Sequence, residues 1–112
     1  MKVYIASPVR PVLDFTKLHN DIEHGMHIVN IFAHSGCKTI KELGHTPLSP
    51  ILAFNGVYSE YEERERIDQA CEELLLSCDA IYVVETAYNK DSKGIARELE
   101  IAKAHNIPIL RV

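Results

Sequence analysis

Apolar positions along the chain alternate between short continuous runs and longer stripes with helical spacing. Two runs rich in β-branched and aromatic residues, 3–6 and 79–85, predict strands, and the second is apolar enough to be covered on both faces. Residues 45–52 predict a short extended segment, because their two prolines limit the ladder hydrogen bonds. Residues 107–112 predict a last strand, so the pattern indicates a sheet of about four strands.

The first helical pattern runs from about residue 14 to residue 43, either as one interrupted helix or as two short ones. Asp14 is a candidate cap for its start, and Gly25 and Gly36 are candidate breaks or bends. Residues 7–11, which precede it, contain two prolines and predict a loop.

Two further helices are predicted in the second half of the chain. One runs from a cap at Ser59 to about residue 77, and the other from a cap at Ser92 to about residue 105. Residues 54–58 predict a loop. Crossovers of more than a dozen residues between strands indicate a parallel sheet with helices on both sides. We therefore predict an α/β fold, a flavodoxin-like three-layer sandwich with strand order 2-1-3-4.

Composition places the chain among small globular proteins. With 112 residues, 46% hydrophobic and 25% charged, it is expected to form a single domain over residues 1–112. A net charge of −4 argues against nucleic acid or an anionic membrane as partner. No apolar run approaches the roughly 20 residues that span a bilayer, and the amino-terminal run is too short for a signal peptide. Three cysteines without CxxC spacing predict reduced thiols and a cytoplasmic location.

The predicted strand order places a switch point between the first and third strands. In open parallel sheets, ligands bind beyond the carboxyl ends of the strands at such a point. The loops delivered there are residues 7–11, 47–56 and 86–94. We expect the functional residues to lie in these loops.

One acidic side chain stands out on the last predicted helix. At about 100° per residue, Ile95 and Ala102 share a broad apolar arc, and Glu98 falls inside it. Glu100 falls nearly opposite, where water can solvate it. Because burying an unpaired charge is costly, an inward carboxylate must be paired, protonated or beside a cavity. Glu98 is therefore either a satisfied carboxylate at the sheet edge or a functional group facing a pocket.

The loops around Glu98 offer groups that suit an anion or a sugar. Ser92 and Gly94 lie at the start of the same helix, where free backbone N–H groups are available. Ser7 and Arg10, in the first loop, add a hydroxyl and a cation. Arg10 taken alone is as well explained by a solvated surface charge. Together these residues predict a cleft with an anion clamp and a carboxylate.

Other patterns carry less chemistry. His24 and His27 are one helical turn apart, but no spacing completes a zinc site, so we predict no metal. Cys71 and Cys78 fit a buried helix stripe. The chain has no GxGxxG or GxxxxGK[ST] motif, so no cofactor is predicted. The charged segment 60–66 is expected to be a solvated helix face, within which Glu65-Arg66 is the pair that could cap the cleft or a subunit interface.

Several segments taken together match a known pattern: Val3-Tyr4-Ile5-Ala6-Ser7-Pro8, Gly44-His45-Thr46-Pro47-Leu48-Ser49-Pro50, Glu65-Arg66, Cys78-Asp79-Ala80, and Ser92-Lys93-Gly94 with Glu98, Leu99 and Ala102. On these residues the chain resembles the nucleoside 2-deoxyribosyltransferase-like superfamily. That group includes 2'-deoxynucleoside 5'-phosphate N-hydrolases and small uncharacterised relatives. The spacing Ser-x-Gly-x-x-x-Glu after a buried strand, with Tyr4 on the first strand, is the most persuasive part.

The resemblance implies a role for each matching residue. Glu98 would be the nucleophile that attacks the anomeric carbon of a deoxyribose, and Tyr4 would orient it. Ser92 and Gly94 would contact the sugar or its 5'-phosphate, and Arg10 would bind that phosphate. The implied activity is cleavage or transfer of the N-glycosidic bond of a 2'-deoxynucleoside or its 5'-monophosphate, through a glutamyl glycosyl-enzyme intermediate.

The chain departs from the superfamily at the residue expected to protonate the base. Cys71 occupies that position, and Asp68, one turn earlier, is the substitute we assign. Ser7 and Pro8 of the first loop complete the expected binding residues. The superfamily also implies a homo-oligomer, a dimer or higher, whose subunits complete each other's sites. A non-catalytic nucleotide-binding module is the alternative, and an interaction domain with a vestigial cleft is a third.

Overall fold

The structure, a computed structural model, describes residues 1–112 except for the side chain of Ile22. Strands and helices alternate along the chain, as the hydrophobic pattern predicts. In order they are strand β1 (Lys2–Ala6), helices α1 (Arg10–Leu18) and α2 (Ile22–Glu42), strand β2 (Thr46–Leu48), helices α3 (Pro50–Phe54) and α4 (Arg64–Leu76), strand β3 (Ala80–Val83), a 3-10 turn (Asn89–Asp91) and helix α5 (Lys93–Ala104).

The sheet is open and parallel, with strand order β2-β1-β3. This confirms the predicted order of the first three strands. A fourth strand is not shown, and residues 107–112 contribute an isolated parallel bridge between Ile81 and Ile109. Two hydrogen bonds hold it, from Ile81 to the carbonyl of Pro108 (3.0 Å) and from Leu110 to the carbonyl of Ile81 (2.8 Å). Pro108 has no N–H to extend this ladder.

The hydrophobic core lies on both faces of β1, whose side chains alternate between them. Tyr4 and Ala6 pack on one side, in a cluster with residues of α4, β3 and α5. Val3 and Ile5 pack on the other, against Ile40 of α2. All four of these β1 residues are fully shielded from solvent. The molecule is therefore a three-layer arrangement with β1 at its centre.

The first helical region forms two helices, which settles the alternative that the sequence left open. The chain turns at residues 19–21, where Asn20 has a left-handed φ of 57°. Asp14 does not cap the first helix, which already begins at Arg10. Pro11 lies in its first turn, where the missing N–H costs nothing. The prediction that residues 7–11 form a loop throughout is therefore wrong, because α1 already includes residues 10 and 11.

Gly25 and Gly36 do not break α2, which is continuous from Ile22 to Glu42. They serve close packing instead. A Cβ on Gly36 would lie 2.5 Å from Cγ2 of Val84 and 2.7 Å from Cγ2 of Ile5. A Cβ on Gly25 would collide with Oγ1 of Thr16 in α1. The glycines therefore let α2 approach the sheet and α1 closely.

The region between β2 and α4 differs most from the prediction. The extended segment is shorter than 45–52, because Ser49 caps the helix α3 by accepting a hydrogen bond from Leu52 N (3.3 Å) and Pro50 occupies its first position. Ser59 is not the cap of α4. Its backbone N–H donates to the Glu63 carboxylate (3.0 Å), and the helix begins at Arg64.

The last helix follows the prediction closely. Ser92 caps α5, since its Oγ accepts a hydrogen bond from Ile95 N at 3.2 Å. The helix ends at Ala104, and Asn106 takes the left-handed conformation just beyond it. Within the described part of the chain, no helix is both long enough and apolar enough to cross a membrane.

Candidate functional site

A cleft of about 1030 Å³ opens at the carboxyl-terminal edge of the sheet. Its lining comes from the segments that follow β1, β2 and β3, together with α4 and the first turns of α5. Residues from all three predicted loops line it, so the cleft lies at the switch point where the strand order predicts a ligand site. The volume is in the range of small-molecule sites.

Glu98 lies in this cleft, one turn into α5. The hydroxyl of Tyr4 donates a hydrogen bond to its Oε2. Tyr4 is fully buried on the central strand, so the phenol reaches the carboxylate from the floor of the cleft. Glu100 is exposed on the opposite face of α5. The predicted inward orientation of Glu98 and its pairing with Tyr4 are therefore confirmed.

The surroundings of Glu98 make its ionised form costly. Burial raises the pKa of Glu98 to about 7, because the charged carboxylate loses water. The hydrogen bond from Tyr4 and the positive charges of Arg64 and Arg97 act on this pKa in the opposite direction. The negative charge of Asp68 adds to the effect of burial. A carboxyl group balanced in this way exists in both protonation states near neutral pH.

The groups beside Glu98 keep their protons. Burial, and after it the charge of Glu98, raises the pKa of Tyr4 far above its usual range. Burial and the same carboxylate raise the pKa of the Cys71 thiol to about 11. Cys71 therefore lines the cleft as a neutral thiol. The prediction that Cys71 belongs to a buried stripe of the helix is only partly correct, because this side of α4 also faces the cleft.

The start of α5 forms one wall of the cleft. Ser92 and Gly94 both line it, as predicted. The Ser92 hydroxyl oxygen accepts the N–H of Ile95, which leaves the hydroxyl proton to donate. A Cβ on Gly94 would lie 3.9 Å from Nη2 of Arg64, in ordinary van der Waals contact. The Gly94 backbone therefore lies beside that guanidinium, with room for a small side chain.

The first loop supplies the opposite wall through Ser7 and Arg10. Ser7 is only 8% exposed, and its Oγ is a buried polar atom that has no hydrogen-bond partner among the described residues. Pro8 is fully buried beneath it and does not line the cleft. Arg10 is less free than we expected, because its guanidinium stacks on the ring of Tyr61 (4.3 Å) and approaches Glu60.

Sequence reasoning missed the central cation of the cleft, Arg64. Its Nη1 donates to Oε1 of Glu60 (2.6 Å) and its Nη2 to Oδ1 of Asp68 (2.7 Å). Burial acts to lower the pKa of Arg64, but the hydrogen bond with Asp68 and the charge of Glu60 outweigh it and raise this pKa. The repeated spacing of four residues between these groups was the available signal.

The charged segment 60–66 is therefore not simply a solvated face. Glu60 and Arg64 point into the cleft, whereas Glu65 and Arg66, the pair that we considered for capping it, are exposed. Arg66 pairs with Glu63 outside the cleft (3.0 Å). Glu65-Arg66 therefore does not cap the cleft of the single chain, and its place at a subunit interface stays a prediction.

Asp68 lies in the cleft, but it is engaged on both its side chain and its backbone. Its Oδ1 accepts from Arg64, and its carbonyl accepts from Nη1 of Arg97 (3.1 Å). Arg97 also approaches Glu72, at 3.7 Å. Only Oδ2 of Asp68 has no hydrogen bond to another described residue. That oxygen is the one left to contact a ligand.

The described residues contain no cluster of three or more His, Cys, Asp or Glu side chains that could hold a metal ion. Cys37, Cys71 and Cys78 are all free thiols. The chemistry that the cleft offers therefore rests on a carboxyl group, its tyrosine and a set of paired arginines.

Comparison with curated proteins found no similar sequence. A family model described as a domain of unknown function, DUF7768, matches residues 1–112. The match extends over the whole cleft and every element around it. The chain therefore belongs to the DUF7768 family.

Proposed function

We propose that the protein cleaves or transfers the N-glycosidic bond of a 2'-deoxynucleoside or of its 5'-monophosphate. The observation that carries this proposal is the carboxyl group of Glu98, which lines a cleft of about 1030 Å³, with room for a nucleoside or nucleotide, and accepts a hydrogen bond from Tyr4. The resemblance of residues 92–98 to the nucleoside 2-deoxyribosyltransferase-like superfamily supports it independently.

In the proposed reaction, Oε1 of Glu98 attacks the anomeric carbon while the bond to the base breaks. The electrons of that bond leave with the base, which takes up a proton, and a glycosyl ester of Glu98 forms. Water or a second base then attacks the same carbon and releases the carboxylate. A 2-deoxy sugar favours this route, because it lacks the electron-withdrawing hydroxyl that destabilises the oxocarbenium-like transition state.

The residues around Glu98 have matching roles in this proposal. Tyr4 fixes the rotamer of the carboxylate, since its hydroxyl already donates to Oε2. The Ser92 hydroxyl and the open backbone at Gly94 face the sugar, and Ser7 and Arg10 face its 5' end. Asp68 is the group assigned to the departing base, which it would meet through Oδ2.

A nucleotide-binding module without catalysis is the second candidate, and one observation favours it. Asp68 accepts a hydrogen bond from Arg64, and Cys71 is a neutral thiol of low acidity, so protonation of the leaving base has no obvious strong donor. Both candidates use the same cleft. They differ only in whether bound deoxynucleotide is turned over.

The wider proposal includes three features of the molecule as a whole. Residues 107–112, which already bridge to β3, would form the edge strand of a four-stranded flavodoxin-like sheet. A homo-oligomer would complete the open mouth of the cleft. The three free thiols agree with a cytoplasmic location.

The decisive experiment incubates the protein with each common deoxynucleoside and deoxynucleoside monophosphate and measures free base by chromatography. We expect base release from at least one of them, and we expect Glu98→Gln to reduce it by about 10³-fold or more, because the nucleophile is removed. Glu100→Gln is the matched control, since Glu100 lies exposed on the same helix and should leave the rate unchanged.

Circular dichroism should show the same fold for both variants. Equal base release by Glu98→Gln and the parent protein would contradict the glycosidase proposal. Binding of nucleotide by both, with no turnover by either, would support the binding module instead.

A further inference from the structure

Arg10 and Arg64 approach the same oxygen atom. Oε1 of Glu60 lies 2.6 Å from Nη1 of Arg64 and 3.7 Å from Nε of Arg10. The Glu60 side chain is 21% exposed and lines the cleft. One carboxylate thus occupies the place between two cations that an anionic group of a ligand would otherwise take.

The contact with Arg64 is strong, whereas the one with Arg10 is incomplete. At 3.7 Å, the Glu60 carboxylate is too far to accept a hydrogen bond from Nε of Arg10. That Nε is a buried donor with no hydrogen-bond partner among the described residues. Oγ of Ser7, in the same loop, is also a buried polar atom without a hydrogen-bond partner among them. Buried polar atoms normally find partners. Two of them on the same wall of a cleft indicate that a polar group of a ligand belongs there.

Both arginines keep a second support that does not depend on the Glu60 side chain. Arg10 stacks on Tyr61 and donates from Nη2 to the backbone carbonyl of Glu60 (3.4 Å). Arg64 remains bonded to Asp68 (2.7 Å). The two guanidinium groups would therefore stay in place if the carboxylate were withdrawn or neutralised.

We propose that Glu60 is a specificity-determining residue, whose carboxylate fills the anion site between Arg10 and Arg64 and so favours uncharged nucleosides over their 5'-monophosphates. A phosphate group must displace this carboxylate and then meets repulsion from it, whereas a neutral 5'-hydroxyl meets neither obstacle. The inference rests on the proposed function for the identity of the ligand. It does not require that the ligand be turned over.

The test measures binding by calorimetry at constant ionic strength, with inorganic phosphate, a deoxynucleoside and its 5'-monophosphate as probes. Glu60→Gln keeps an oxygen that can accept from Arg64 but removes the negative charge. We expect it to tighten binding of inorganic phosphate and of the monophosphate by about tenfold, as a charge-assisted contact becomes available. Binding of the deoxynucleoside should stay unchanged.

Glu62→Gln is the matched control, because it removes the same charge from an exposed neighbouring position. It should change phosphate affinity much less than Glu60→Gln does. Adding Arg10→Ala to Glu60→Gln should abolish the gain, since the released cation is then absent. Phosphate binding that is unchanged or weaker in Glu60→Gln, or equally tightened in Glu62→Gln, would overturn the inference.

The outcome can be separated from that of the glycosidase proposal. Tighter phosphate binding by Glu60→Gln without base release by any variant would retain this inference and reject the catalysis. Base release that depends on Glu98, with no effect of Glu60 on phosphate binding, would retain the catalysis and reject the role of Glu60.

Discussion

At the scale of single residues, Glu98 is a carboxyl group whose burial costs the protein stability. Its carboxylate is surrounded by the buried phenol of Tyr4, the neutral thiol of Cys71 and the paired Arg64. These neighbours hold it in place without fully neutralising it, so burial dominates and raises the pKa of Glu98 to about 7. The folded protein therefore retains a proton that the unfolded chain releases at lower pH.

We expect Glu98→Gln to stabilise the protein more at pH 8 than at pH 5. Between the usual pKa of 4.5 and the folded value near 7, the unfolded chain ionises first, so stability falls as pH rises through this window. Above pH 7, the free energy of unfolding is lower by up to about 3 kcal/mol than it is below pH 4.5. Glutamine escapes it, because an amide has no charge to bury and still accepts from Tyr4.

Denaturant unfolding at the two pH values, with Glu100→Gln as the exposed control on the same helix, measures this difference. A stability gain of equal size at pH 5 and pH 8 would show that the carboxyl group is not charged at a cost in the folded state.

At the scale of elements, close approach of the backbone determines how the layers fit. Helix α2 packs on the sheet through Gly36, beside Ile5 and Val84. A glycine in a helix is ordinarily a weak point, which is why the sequence pattern suggested a break there. At Gly36, however, the absence of a side chain allows the close packing and so stabilises the fold.

We expect Gly36→Ala to destabilise the fold by about 1–3 kcal/mol, although alanine is the better helix former. The added methyl group would overlap Cγ2 of Val84 and of Ile5, at 2.5 and 2.7 Å. Thermal unfolding measures the effect, with Ser35→Ala as the control on the adjacent exposed position of α2. A Gly36→Ala variant as stable as Ser35→Ala would mean that α2 does not approach the sheet so closely.

The elements that sequence could predict are those set by local signals. The strands β1 and β3 follow from continuous apolar runs, and the start of α5 follows from the Ser92 cap. The helix α3 was missed because residues 45–52 predict an extended segment, and the true start of α4 was missed because Ser59 predicts a cap. Both errors concern residues whose role depends on position within the first turn.

The sequence predicts part of the candidate site. Helical angles place Glu98 inward, and the strand order places the three loops at one edge. The pairing of Glu60 with Arg64 was not predicted, because it depends on how residues 59–63 turn before α4 begins. Charged side chains are usually expected to be solvated, and only the tertiary fold shows which of them line a cleft.

At the scale of the whole molecule, β1 joins the layers into one cooperative unit. It pairs with β2 on one side and β3 on the other, and residues 3–6 are fully buried. The carboxyl-terminal segment is held far more loosely, through two hydrogen bonds around Ile81. Local opening should therefore begin at the ends and reach β1 last.

Amide hydrogen exchange should show this gradient. We expect the slowest exchange at β1 and intermediate protection at Leu110, whose N–H donates to Ile81 (2.8 Å). Arg111 and Val112 should exchange about 10³-fold or more faster than β1, since global unfolding is needed to expose that strand. Residue-resolved exchange followed by nuclear magnetic resonance measures the difference, and equal rates at Leu110 and Arg111 would show that the segment does not join the sheet.

The position of Tyr4 on the central strand limits how this protein can be altered. Its ring belongs to the hydrophobic core, while its hydroxyl donates to Glu98, which lines the cleft. A mutagenesis library that randomised the cleft floor would lose most of its members to misfolding before any change in selectivity could be scored. Changes in what the cleft binds are more accessible at Ser7, Glu60 and Gly94 on its walls, which can vary without removing a strand from the interior.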